Sequence, residues 1–354
     1  MIQLVPRTEG NLLLALLSPL LAFALTMLIG AILLAILGFE PGEVLWNFFV
    51  LSLTGSYQFA ELFVKATPLI LMAVGLSLGF RANVWNIGAE GQFILGAIFA
   101  ALVALPLKAW PIGLLLPLTA LAAIFGGMLW AAIPAFLKSR FHASELLTSL
   151  MLVYVAQQLL FYLVAGPMKD PFAFSWPKSA DFPAAAQMPI LAADTRFHLG
   201  FIIALVVAVI GWLALTRTSF GFYLSVAGSA PKAARFSGYS EKMALWASLL
   251  IGGGLAGLAG FIEAANNVGF LSQSLTTGLG FTAIIVAFLG RLHPLGIVVS
   301  GLLLALTYLG GETVQTFNQV PQGLTQVLQA TLLFLILASD LVLRYRFVLR
   351  VSAA

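Results

Sequence analysis

The residues able to do covalent or metal chemistry are few and scattered. Histidine occurs three times, at His142, His198 and His293, with no His-x-x-x-His pair and no paired-carboxylate spacing. Cysteine is absent, which excludes disulfides, thiolate metal sites and a cysteine nucleophile. No nucleophile–base pair is visible, and no Gly-Lys-Ser/Thr phosphate loop occurs. An enzyme is therefore not expected, nor a cofactor or metal bound by this chain. Polar residues gather instead in two stretches. One is "GFRANVWNIGAEGQF" (79–93), which offers Asn83, Trp85, Asn86, Glu90 and Gln92. The other follows the glycine-rich run 252–260 and offers Glu263, Asn266 and Asn267.

The surroundings of these stretches are oil. Of 354 residues, 61% are hydrophobic and 8% charged, with a mean hydropathy of +1.05. A soluble domain carries roughly 25% charged residues, so this composition cannot build a water-facing surface and reads as an integral membrane protein. The bilayer core needs about 20 apolar residues per helix and excludes open strands. The expected fold is all-α, with about ten spans near 11–37, 59–80, 91–107, 112–137, 144–165, 198–216, 243–263, 280–291, 294–309 and 323–340. The first run is expected to be a retained span, since it is too long for a signal peptide and lacks a cleavage pattern. The runs 280–291 and 294–309 are short and meet at "RLHP". They form either two full spans or a broken, re-entrant pair.

With ten spans and a cytoplasmic N-terminus, twelve of the 17 Lys and Arg fall inside and five outside. That agrees with the positive-inside rule and puts both termini in the cytoplasm. The net charge of +4 is an orientation signal and needs no nucleic acid. The blocks 59–165 and 243–340 then have opposite topology, each with four spans and a polar interruption, which points to an inverted repeat. The whole chain, 1–354, reads as one transmembrane domain with an external loop at 166–197 and a cytoplasmic loop at 217–242.

Each polar stretch has two readings. Residues 79–93 are either a helix break that lines or gates a solute path, or a hairpin with Trp85 in the aromatic belt and Arg81 snorkelling. Glu90 falls in or near the first turn of the third span, where the helix dipole favours a carboxylate. Glu263, Asn266 and Asn267 form either a substrate-facing break or a polar helix end. The glycines ahead of them suit close helix packing. In the loop 217–242, "APKAARFSGYS" can form two helical turns begun by Pro231 and stopped at Gly238. Small and basic residues dominate it, which suits docking into a groove on a partner.

"FRANVWNIGAEGQFILGA" resembles the signature of membrane permeases of ATP-binding-cassette (ABC) importers of the simple-sugar and nucleoside type, closest to the nucleoside branch. "GFYLSVAGSAPKAARFSGYS" is similar to that family's coupling-helix segment, which implies contact with an ATPase through Gly228, Ala230, Pro231, Ala233, Ala234, Arg235 and Gly238. Ser225 and Ser229 depart from the family, which usually has a basic residue and often Asn there. The resemblance runs from the second span to the C-terminus. It implies an importer subunit of a bacterial plasma membrane, carrying a nucleoside, a simple sugar or a related small polar solute. Its implied partners are separate subunits that use ATP and Mg, an extracytoplasmic solute-binding protein and a second permease, a shorter paralogue in a heterodimer rather than a copy in a homodimer. The rival reading is a secondary transporter driven by an ion gradient through Glu90, Glu263 or Asp340.

Overall fold

The computed structural model describes residues 2–6, 12–238 and 240–349. Long apolar runs can satisfy their backbone without water only as helices, and helices are what form. In chain order they are α1 (Leu12–Ile36), α2 (Pro41–Phe49), α3 (Ser56–Arg81), α4 (Ala89–Ala104), α5 (Ile112–Phe141), α6 (Glu145–Ala165), α7 (Leu199–Arg217), α8 (Ser219–Ser229), α9 (Pro231–Phe236), α10 (Glu241–Ile262), α11 (Leu279–Leu289), α12 (Pro294–Phe317) and α13 (Gln322–Arg344). Among the described residues, the strands form one antiparallel pair, β1 (Ile2–Pro6) with β2 (Tyr345–Leu349). The pairing brings the two terminal segments to the same place.

Each of the ten expected spans holds a helix, with ends displaced by a few residues. Among the described residues six helices are long and apolar enough to cross a membrane: α3, α5, α6, α7, α12, and α10 with the π-helical turn Glu263–Val268 that continues it. α11 is different. Its 11 residues span about 16 Å, half of a hydrocarbon core about 30 Å thick. The expected pair at 280–309 is thus asymmetric, a half-length α11 followed by a full-length α12 of 24 residues. The break between them is made by Arg291 and Leu292, both left-handed (φ 55° and 54°), and by Pro294 at the first position of α12. α12 also outruns its expected end at 309, since its polar last turns still have packing partners.

The chain divides into two compact units. One comprises the residues up to Phe59 and from Leu306 on. Its core is Leu34, Val44, Phe48, Val314 and Val320. Asn318 links Asn47 (2.8 Å) and Glu43 (2.9 Å), and Gln329 Nε2 donates to the Thr307 carbonyl at 2.7 Å. The short α2, which apolar periodicity alone does not announce, starts with Pro41 at its first turn and Glu43 against its N-terminal dipole.

The other unit, Ala60–Ala305, is built around α10, which packs on α4 and α5. The glycines of α10 make that packing possible. A Cβ on Gly257 would lie 2.2 Å from the Ala123 carbonyl oxygen, and one on Gly96 would lie 2.2 Å from the Gly257 Cα. Small-residue seams of this kind let helix backbones touch where there is no water to drive apolar surfaces together. Ser144 and Ser240 cap α6 and α10 through side chains that accept from Leu147 N and Met243 N. The blocks beginning with α3 and α10 share an order of lengths: a long helix, then a short one (α4, 16 residues; α11, 11 residues).

Candidate functional site

The polar stretch leaves α3 at Arg81 and turns at Asn83, which is left-handed (φ 55°). It then runs back alongside α3, with Val84 N bonded to the Gly79 carbonyl at 2.8 Å, before α4 starts at Ala89. Five expected site residues fall here, and they divide into two kinds. Asn83 and Trp85 are exposed, joined by a 3.2 Å bond from Trp85 Nε1 to Asn83 Oδ1. Trp85 also packs with Phe80 and with Phe288 of α11. Asn86, Glu90 and Gln92 are buried, where an unpaired polar group would be costly.

Each buried group has partners. Asn86 and Gln92 exchange two amide hydrogen bonds, at 3.0 and 3.1 Å, and Asn86 Oδ1 also accepts from Gly88 N at 3.0 Å. Glu90 is fully buried, and its two carboxylate oxygens serve a different helix. Oε1 accepts from Gly278 N at 2.9 Å, and Oε2 from Gly280 N at 2.6 Å. Those are among the orphan donors at the start of α11. Gly280 permits the approach, since a Cβ there would lie 2.3 Å from Glu90 N. Glu90 thus lies in the first turn of α4, as expected, and at the N-terminus of α11 as well. Two short helices present their positive ends to one carboxylate.

The second polar stretch is a π-helical turn, a form frequent at functional sites. Asn266 pins the 166–197 segment, with Oδ1 accepting from Met188 N at 3.1 Å and Nδ2 donating to the Met188 carbonyl at 3.0 Å. Asn267 Nδ2 donates to Glu263 Oε2 at 2.5 Å, and its Oδ1 lies 3.4 Å from His198 Nε2. Arg196 donates to the Asn267 carbonyl at 3.2 Å and grips the buried Glu61 through two bonds of 2.7 and 2.6 Å. The structure therefore brings Glu263, Asn266 and Asn267 together with Glu61, Arg196 and His198, which nothing in the sequence joins to them. The side chain of Asp340 lies outside the described residues.

The segment 217–242, expected to be a loop, is largely helical. α8 occupies 219–229, which no periodicity announces, and α9 begins at Pro231 as expected. Gly238, at φ 82°, stops it in the left-handed conformation that favours glycine. Residue 239 lies outside the described residues. Ala234 is buried, while Pro231, Ala233, Arg235, Gly238 and Ala230 are exposed. Arg235 donates twice to Glu241, at 2.9 and 2.7 Å, and that carboxylate raises the guanidinium above its ordinary pKa. Gly228 lies against the polar stretch, where a Cβ would be 2.2 Å from the Arg81 carbonyl oxygen. A cleft of about 350 Å³ lies beneath, lined by Asn83, Lys138, His142, Glu145, Arg235 and Lys242 among others. Among the described residues no group of three or more His, Asp or Glu could hold a metal.

A multi-pass helical membrane protein with a half-length helix and an exposed segment set between spans is built as a permease is built. Residues 58–337 match the family described as branched-chain amino acid transport system / permease component, and the chain belongs to that family. Three curated relatives show the range of its kin. The glucose ABC transporter permease protein TsgB13 of Haloferax volcanii is 35% identical over 98% of this chain and 93% of its own. The guanosine ABC transporter permease protein NupP of Bacillus subtilis is 31% identical over 93% of this chain and 95% of its own. A second guanosine ABC transporter permease protein of the same bacterium, NupQ, is 29% identical over 73% of this chain and 83% of its own.

Proposed function

We propose that this chain is one permease subunit of an ABC importer for a nucleoside or a related small polar solute, with a simple sugar as the neighbouring alternative. The observation that carries the reading is the coupling segment. α9 is a short exposed helix anchored to the start of α10 by Arg235 and Glu241, and the end of α8 just before it is seated through Gly228 on the stretch that holds α11. The names of the relatives, guanosine and glucose, supply the solute class. Two guanosine permeases in one bacterium support a heterodimer with a second, shorter permease. The pairing of β1 with β2 supports both termini on one side, which the Lys and Arg distribution makes the cytoplasmic side of the plasma membrane.

In this reading a solute-binding protein delivers the solute to the end that holds residues 166–197. Separate ATPase subunits, using ATP and Mg, dock at α9. Asn83 and Trp85 are the exposed groups of the polar stretch that a solute can reach, one an amide and the other an aromatic face. Asn86, Glu90 and Gln92 act on the gate by holding its framework. Glu263, Asn266 and Asn267 do the same at the opposite end.

Purification from the native membrane in mild detergent, with mass spectrometry of the co-purifying proteins, tests the reading. An ATPase subunit and a shorter permease are the expected companions. Uptake of labelled guanosine and labelled glucose by vesicles holding the whole assembly then chooses the solute. Uptake that persists without ATP while an ion gradient is held would overturn the ABC reading.

A further inference from the structure

The stretch 81–90 does more than turn the chain between two helices. It supplies one charge to each end of α11. Glu90 accepts from the first N–H groups, at Gly278 and Gly280. Arg81 Nε donates to the Leu292 carbonyl at 3.1 Å, just beyond the other end. The signs match the dipole of α11, negative charge at its N-terminus and positive charge at its C-terminus. Phe80 and Trp85 add rings stacked on Phe288 in the last turn of α11.

Both ends of α11 also carry backbone suited to a hinge. Gly278, its N-cap, is at φ 83°, and Arg291 and Leu292 beyond its C-terminus are left-handed. Hinge motions are absorbed at a few element-terminal residues of this kind. The other side of the clamp touches the coupling segment. α8 ends with Gly228 pressed on the backbone of Arg81, Ala82 and Asn83. Beneath it Tyr223, Leu224 and Ala227 share a buried cluster with Leu78, Ala82 and Val84. Tyr223 Oη donates to the Ser240 carbonyl ahead of α10. A continuous run of close packing therefore joins the exposed α9, through α8 and the stretch 81–84, to the half-length α11.

Resting on the importer reading above, we propose that α11 is the element that partner-driven motion moves within the membrane, with Arg81 and Glu90 as the positioning residues that tie it to the coupling segment at Gly228. A push on α9 reaches residues 81–83 through Gly228. The two charged side chains then carry it to both ends of α11, so that the helix moves as a rigid rod between its hinges. The test reads the response of α11 itself.

The test is amide hydrogen exchange on the whole assembly in lipid nanodiscs, without nucleotide and with Mg and a non-hydrolysable ATP analogue. In the wild-type assembly, the amides of 278–292 should change their exchange rate on adding nucleotide. In the Arg81→Gln assembly, still complete and still hydrolysing ATP, that response should be lost. Arg81→Lys keeps a donor for the Leu292 carbonyl and should keep the response. Glu90→Gln should speed exchange at Gly278 and Gly280 in both nucleotide states and weaken the nucleotide response of 278–292.

A wild-type α11 that ignores nucleotide would overturn the proposal, as would an Arg81→Gln assembly with the full wild-type response. If Arg81→Gln fails to assemble, the Lys variant and Glu90→Gln decide. A nucleotide response in Glu90→Gln equal to that of wild type then counts against the clamp. A wild-type chain that brings no ATPase from its own membrane defeats the importer reading first, before any variant is made, and this proposal falls with it.

Discussion

The two polar interruptions are alike in composition and are built differently. Residues 81–92 bury their amides and carboxylate completely at Asn86, Glu90 and Gln92, and Glu90 is satisfied by backbone N–H groups of another helix. Residues 263–268 are half-buried around their polar side chains and hold the 166–197 segment through the Asn266 amide, bonded to Met188, and the Asn267 carbonyl, which accepts from Arg196. The first stretch fastens α11 from a fully buried position, where a lost partner is costly. The second fastens a segment at an edge where water can enter. The same residue types should therefore tolerate loss very differently at the two places.

Replacing Glu90 by Ala is the most damaging change expected. It leaves the N–H groups of Gly278 and Gly280 without acceptors, at about 1–3 kcal/mol for each buried donor. The assembly should unfold at a clearly lower temperature in detergent. Glu90→Gln retains one acceptor oxygen and should fall between the two. An Ala variant that melts with the wild type would mean that α11 does not depend on the carboxylate.

At the other stretch, Arg196→Ala deserts a Glu61 side chain that is only 4% exposed, while the arginine itself is 44% exposed. Breaking a fully buried pair costs about 3–5 kcal/mol, and exposed pairs are worth about 0–1. The loss here should be intermediate, at about 1–3 kcal/mol. Protease cleavage within 166–197 should rise in the variant, and Glu61→Gln added to it should restore much of the protection. Asn266→Ala is smaller again. It removes two hydrogen bonds to Met188, each with a net worth of about 1 kcal/mol, and should loosen the segment around 188 without touching exchange at Gly278.

Much of this architecture is legible in the amino-acid sequence. The ten apolar runs are helical because each can bury its backbone polar groups within itself. Pro231 and Gly238 bound α9 because a ring-fixed φ and a left-handed stop are local properties. Everything that depends on distant partners stays hidden. Glu90 and Gly280 are 190 residues apart, and nothing in the stretch around either announces the other. Asn266 reads as a solute-facing break or a polar helix end, and nothing near it in the chain announces its bonds to Met188. The half-length α11 is visible only as an ambiguity at "RLHP", since an apolar run of that length is equally a short span. α8 escapes for a related reason. Its exposed and buried faces alternate over only 11 residues, too short a window for periodicity to speak.

The least disruptive test of the comparison is acid. His198 lies just ahead of α7, buried beneath the 166–197 segment, and its Nδ1 accepts from Gly200 N at 3.1 Å. That cap needs the neutral ring. Burial holds the imidazole pKa below its ordinary 6.5, while Asn267 and Glu61 pull it upward and Arg196 adds to the lowering. Because the native pKa is depressed, the neutral cap contributes in full above the unfolded value of 6.5. The contribution shrinks as pH falls towards the native pKa, where the ring takes a proton and the cap is lost, at about 1 kcal/mol. Cleavage within 166–197 should therefore rise as pH drops below 6.5, while exchange at Gly278 and Gly280 holds steady over the first part of that fall. His198→Asn keeps a capping oxygen and cannot titrate, so its cleavage should stay flat across the same range. A wild-type segment equally protected at about pH 7.5 and about pH 5, on either side of the ordinary imidazole range, would remove the histidine from the fastening and leave Arg196 and Asn266 to hold that end.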